Sequence, residues 1–128
     1  MLQARTWAEV DLGALERNLA RVRAATADAA LMLVVKADAY GHGAIPVSHH
    51  LLRHGVHSLG VGDSTEALAL RAAGVTAPIL ILGAIVRGEM EQVIRGGISV
   101  TVHTLDRAKA LARAASRMGA RVRVHLKV

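Results

Sequence analysis

The sequence predicts an α/β fold, an incomplete (β/α)8 TIM-type barrel with a parallel sheet. Three observations carry this. Short apolar runs rich in Val, Ile and Leu recur without polar alternation, the pattern of strands covered on both faces. Stretches with helical spacing of apolar residues separate them, and glycine stops most of these helices. Strands alternating with helices imply a parallel sheet, and the regular unit length favours a barrel over an irregular open sheet. A complete barrel needs about 250 residues. With 128 residues, five barrel strands are expected, and they leave the barrel open.

The elements follow in order. Arg5 to Asp11 reads as a short strand ending in a helix cap, since Asp is a good N-cap. Leu12, Leu15, Leu19 and Val22 then give one apolar helical face. Leu31 to Val35 is a strand with the composition of one buried on both faces. After Gly43, Pro46 suits a first helical turn, Val47, Leu51 and Leu52 face the core, and Gly55 is the stop. Ser58 to Gly62 is the next strand. Asp63 and Glu66 have the spacing of a capping box for a helix ending at Gly74. Pro78 to Gly83 is a strand whose last glycine is read as a turn. A short helix through Glu89, Met90, Val93 and Ile94 precedes the β-branched strand Ile98 to Val102. Thr104 caps a helix whose stripe is Leu105, Ala108, Leu111, Ala112 and Ala115. Arg121 to Val128 is the last strand.

Composition excludes several functions. The chain is 52% hydrophobic and 2% aromatic, so its core is aliphatic. It has no Cys, which rules out disulfides and thiolate metal sites and suits a reducing cytoplasm. The formal charge of +6 raises a nucleic-acid reading. The arginines, however, are spread through helices, and Trp7 and Tyr40 are the only aromatics, so no base-stacking platform exists. No targeting signal is read at the N-terminus. The apolar stretch Ala77 to Val86 is too short to span a bilayer. No partner among nucleic acids or membranes is expected. His50 and His54 are four apart, a metal-ligand spacing, but their helix lacks the Glu of a His-Glu-x-x-His site and no third ligand is near in sequence. Exposed surface histidines, and no metal, are expected.

The stretch Leu31-Met-Leu-Val-Val-Lys36-Ala-Asp-Ala-Tyr40-Gly-His-Gly43 carries the chemistry. Lys36 sits where a strand leaves the core, at the carboxyl end, where parallel α/β folds place their sites. Half-desolvation there disfavours the ammonium and frees a nucleophilic amine. Gly41 and Gly43 allow close backbone approach to a bound group, and Tyr40 offers a hydroxyl donor. From Lys36 alone, a solvated charge is the simpler reading. The whole string changes that.

Val34-Val-Lys-Ala-Asp-Ala-Tyr-Gly-His-Gly43 closely resembles the pyridoxal 5'-phosphate (PLP) attachment motif of the alanine racemases. The resemblance implies that Lys36 holds PLP covalently and is the catalytic base on one face of the substrate. It makes Tyr40 a ligand of the cofactor phosphate, and Asp38 stands where the family has Asp or Asn. Val124-His-Leu-Lys-Val128 resembles a second family strand, in which the lysine carries a carbamate in several members; Lys127 is that position. The implied function is interconversion of L- and D-alanine for peptidoglycan precursors, in a cytoplasmic homodimer. A tyrosine of the other subunit serves as second base. Residues 1–10 then form a strand that joins a C-terminal β domain absent here, and 11–128 form the first, truncated part of a PLP-binding barrel. The alternative is a non-catalytic PLP-binding or structural fragment of that fold. By itself the 128-residue chain is expected to be inactive.

Overall fold

The computed structural model describes residues 6–128. Helix α1 spans Leu12–Thr26, strand β1 Met32–Val34, the short α2 Lys36–Gly41 and α3 Ala44–Arg53. Then come β2 (Ser58–Val61), α4 (Ser64–Ala72), β3 (Ile79–Ile81), a 3-10 turn at Arg87–Glu89 and α5 (Met90–Arg95). Strand β4 (Ser99–Val102), α6 (Leu105–Arg117) and β5 (Val124–Leu126) complete the order. The sheet runs β1-β2-β3-β4-β5, every neighbouring pair parallel. This is the expected alternating α/β architecture. The segment Thr6–Val10 has no regular structure, and Trp7 is exposed, its indole N–H donating to Glu9. The strand expected from Arg5 is therefore not formed over these residues; Arg5 itself lies outside the described ones. Extended backbone becomes a strand only when another strand pairs with it.

Side chains alternate between the two faces of each strand. Leu59, Val61, Ile79, Ile81, Val100 and Val102 form the buried outer face, against which Leu70, Val93, Leu111 and Ala114 of the helices pack. The other face carries Val34, Leu80 and Thr101. Strand β3 is the sheet centre, and all three of its residues are buried. The edges differ. In β1, Met32 is exposed and Leu33 and Val34 are half-buried. The expectation of a β1 covered on both faces is corrected: among the described residues it is an edge strand paired only with β2. All of β5 is exposed, Val124 and Leu126 included.

Most helix signals hold. Asp11 accepts the Ala14 N–H at 3.0 Å and Thr104 the Arg107 N–H at 3.3 Å. In α6 the buried stripe shifts to Leu111, Ala114 and Ala115, leaving Leu105 and Ala112 exposed. At the amino end of the sheet, Arg71 donates to the carbonyls of Val75, Ala77 and Gly96, which ties α4 to the two following loops. Burial first, and then the charge of Arg123, lowers the pKa of its guanidinium from the ordinary arginine range.

Candidate functional site

The site is built at the carboxyl end of the sheet. Val35 is buried and donates its N–H to the Gly60 carbonyl at 2.8 Å, extending the β1–β2 ladder by one residue. Alternation then turns Lys36 to the face opposite Val35. Its Cβ lies beside Gly62, just past the end of β2: a Cβ placed on Gly62 would be 3.6 Å from it. Lys36 is exposed. The half-desolvation expected of it is not found: among the described residues β1 is an edge strand and no further strand walls that side.

Beyond Lys36 the chain does something the sequence does not announce. Ala37, Asp38, Ala39 and Tyr40 all lie in the left-handed region, with φ from 50° to 56°. Left-handed helical backbone costs roughly 1–2 kcal/mol per non-glycine residue, so the turn persists only where its surroundings hold it. Several hydrogen bonds do. The Ala39 N–H donates to the Val35 carbonyl at 2.8 Å and the Gly43 N–H to the Asp38 carbonyl at 2.9 Å. Asp38 Oδ1 accepts the Ala44 N–H at 2.6 Å, fixing the start of α3. The two glycines are explained by backbone conformation: Gly41 and Gly43 have φ of 83° and 86°, and a Cβ on Gly41 would meet nothing within 4 Å. Close approach belongs instead to Gly83, where a Cβ would fall 2.4 Å from the Gly62 carbonyl oxygen.

Glu66 supplies the remaining tether. The capping box expected with Asp63 forms by half: Asp63 Oδ1 accepts the Glu66 N–H at 3.0 Å. The Glu66 carboxylate turns away and accepts two other amides, Ala37 N–H at 2.6 Å and Gly62 N–H at 2.7 Å. One side chain thus joins the residue after Lys36 to the end of β2. Both its oxygens are engaged by amides, and among the described residues Lys36 enters no ion pair. Glu three residues after a cap is a weak cue, which reads equally as helix capping. Only the packing of β1 beside β2 shows the other use.

Of the predicted residues, Lys36 and Tyr40 sit on one turn, Tyr40 exposed. Lys127 does not join them. It is exposed, and its N–H donates to the Val102 carbonyl at 3.0 Å, prolonging β5 at the other edge of the sheet. Four strand spacings put it roughly 19 Å from Lys36 along the sheet.

A parallel sheet whose strands alternate with helices, with a lysine at the carboxyl end of β1 and a tethered left-handed turn after it, places the chain in the class of parallel α/β folds. Comparison with known proteins narrows it. The alanine racemase N-terminal domain family matches residues 10–128, and the chain belongs to that family. It is 41% identical over 123 residues to an alanine racemase of Methanococcus maripaludis, covering 95% of this chain and 33% of that protein. It is 46% identical over 123 residues to an alanine racemase of Desulfosudis oleivorans, covering 95% and 32%. Among solved structures, alanine racemase of Clostridium difficile 630 in complex with cycloserine superposes with a TM-score of 0.95 at 36% identity, over 100% of this chain and 34% of that one. The five-stranded sheet and its helices match the N-terminal part of the racemase barrel. The chain spans about a third of the length of the relatives it matches.

Proposed function

We propose that these residues are the first part of a PLP-dependent alanine racemase, which interconverts L- and D-alanine for cell-wall precursors in the cytoplasm. The observation that carries the reading is Lys36: an amine without an ion-pair partner among the described residues, at the carboxyl end of β1, at the head of the turn held by Glu66. The residues fit PLP on the chemistry of the donors. Lys36 offers a primary amine for covalent attachment, and Tyr40, four residues on, offers an exposed hydroxyl to an anion. When bound, PLP supplies an electron sink for the carbanion at the substrate α-carbon. The protein's own residues do the rest. Lys36 Nζ would hold the cofactor and would take or return the α-proton on one face. Tyr40 Oη would donate to the phosphate. Glu66 keeps the backbone that carries Lys36 in register with β2. Tyr40 is the only tyrosine here, and the second base, a tyrosine, comes from the partner subunit of a homodimer. In that whole protein Lys127 carries a carbamate, its charge balanced by a nearby arginine.

The reading is tested by borohydride reduction of the full protein with PLP, followed by peptide mapping. Pyridoxyl is expected on Lys36 in clear excess over Lys109 and Lys127. Label scattered over the lysines would overturn the assignment. Lys36→Ala should abolish racemisation, since it removes both anchor and base.

A further inference from the structure

We propose that Glu16, His50 and His54 form a divalent-metal site, best suited to Zn²⁺, that clamps α1 to α3. Sequence offers the two histidines one helical turn apart and no third ligand. The fold supplies the third from a different helix: Glu16 of α1 lies over the last turn of α3. Its Oε2 stands 3.6 Å from His50 Nε2 and 3.3 Å from His54 Nε2. All three ligand atoms fall within 4.8 Å of one another.

Three features favour an ion over a simple ion pair. First, the spacing. A charge-assisted hydrogen bond from nitrogen to carboxylate is about 2.7–2.9 Å long. Two ligands about 2.0–2.1 Å from a tetrahedral Zn²⁺ sit roughly 3.3–3.4 Å apart, which is close to both observed contacts. Second, the tautomer. His54 Nδ1 lies 2.8 Å from the His50 carbonyl oxygen, which can only accept, so Nδ1 carries the proton. In the neutral ring the Nε2 lone pair then faces the carboxylate oxygen, acceptor against acceptor, and a cation between them resolves the repulsion. Such a carbonyl bond to the second ring nitrogen is the usual support of a metal-bound histidine. Third, His50 Nε2 is buried and has no hydrogen-bond partner among the described residues. Buried polar atoms are seldom left so, and a ligated ion would satisfy it. The two rings are 4.5 Å apart and tilted by 36°, so their lone pairs can converge. Two imidazoles and a carboxylate suit Zn²⁺, and the half-exposed Glu16 leaves a position for water.

The site has a structural use. Helix α1 contributes no fully buried residue; it is held by half-buried Leu12, Leu15 and Leu19 and by Arg23 donating to the Gly55 carbonyl. A metal would add a bond between α1 and α3 where apolar contact is thin. The site lies on the C-terminal half of α3, whereas Asp38 of the turn after Lys36 holds the amino end of that helix. It therefore takes no part in the chemistry at the barrel mouth.

The test is calorimetric titration of the full, chelator-treated protein with ZnCl₂. CoCl₂ titration followed by visible absorption, and hydrogen exchange of α1 amides, complete it. One ion per chain is expected, Co²⁺ giving the strong visible bands of a four-coordinate ion, with slower exchange in α1 when Zn²⁺ is bound. Glu16→Gln and His54→Gln, both at solvent-accessible positions, should each weaken binding at least tenfold, about 1.4 kcal/mol. His103→Gln, outside the cluster, should not. Absence of Zn²⁺ binding to the unaltered protein at millimolar metal would overturn the site, as would binding that both ligand variants leave unchanged. Binding at the site without added protection of α1 would overturn the clamp.

Discussion

Glu66 and Tyr40 show how single residues serve the site in different ways. Glu66 acts on backbone. Glutamine in its place keeps one acceptor oxygen, so either the Ala37 or the Gly62 N–H loses its partner. A hydrogen bond to a charged group contributes about 1.5–3 kcal/mol; with Ala37 exposed, water replaces part of it. In the full protein Glu66→Gln should therefore lower stability by about 1 kcal/mol. It should also loosen PLP and reduce kcat more than it changes KM for alanine. Equal PLP retention and kcat in the variant would make Glu66 a structural residue only. Tyr40 acts on the ligand directly. Tyr40→Phe removes one donor to an anion and should weaken PLP roughly ten- to hundredfold, with the fold intact by circular dichroism. An unchanged PLP dissociation constant would remove Tyr40 from the site.

At the scale of elements, α1 is the helix most dependent on its end. Asp11 accepts the Ala14 N–H, and Arg17 lies 3.1 Å from its other oxygen. The backbone hydrogen bond first, and the Arg17 hydrogen bond second, lower the Asp11 pKa below the ordinary 3.8. The sign follows. A carboxyl whose pKa is depressed by folding adds stability that is complete above its unfolded value, about 3.9, and lost as pH falls through the lower folded value. The protection of α1 amides, measured relative to the intrinsic exchange rate at each pH, should therefore fall between about pH 4 and the acid limit of the fold. Asp11→Asn, which caps without a charge, should flatten that dependence. A profile identical in the two proteins would show that the cap does not govern α1.

For the whole molecule, the sheet edges and the count of bases matter most. Among the described residues strands β1 and β5 each have a single neighbour, and unpaired edges invite pairing with other chains. The apolar side chains of Val124 and Leu126 stand in water, where apolar area costs roughly 25 cal/mol per Å². Residues 1–128 prepared alone should thus self-associate, as sedimentation would show. Supplied with PLP, they should not convert L- to D-alanine at an ordinary enzyme rate, about 1–10³ per second, because Lys36 is one base where racemisation uses two. Turnover in that range would show that a second base is dispensable.

Much of this was legible in the amino-acid order. Aliphatic runs between capped helices determine an alternating parallel sheet, since no other arrangement buries both. The Lys36 string is contiguous, so the family resemblance could be read without a fold. Contacts between elements could not. The left-handed turn at Ala37 to Tyr40 contains no glycine, and local preference disfavours it; tethers from Glu66 and Val35 decide it. Glu66 reads as a cap because Asp63 is its neighbour in sequence, while Ala37 becomes one only when β1 pairs with β2. The sequence predicts Met32 covered and Lys36 half-desolvated, but their exposure depends on which strand lies at the edge, a property of the sheet as a whole. Glu16 stands 34 positions before His50, and only the packing of α1 on α3 brings the carboxylate to the two imidazoles. Local spacing determines what a segment becomes; tertiary packing decides which distant groups meet, because side chains interact over a few ångströms whatever their separation along the chain.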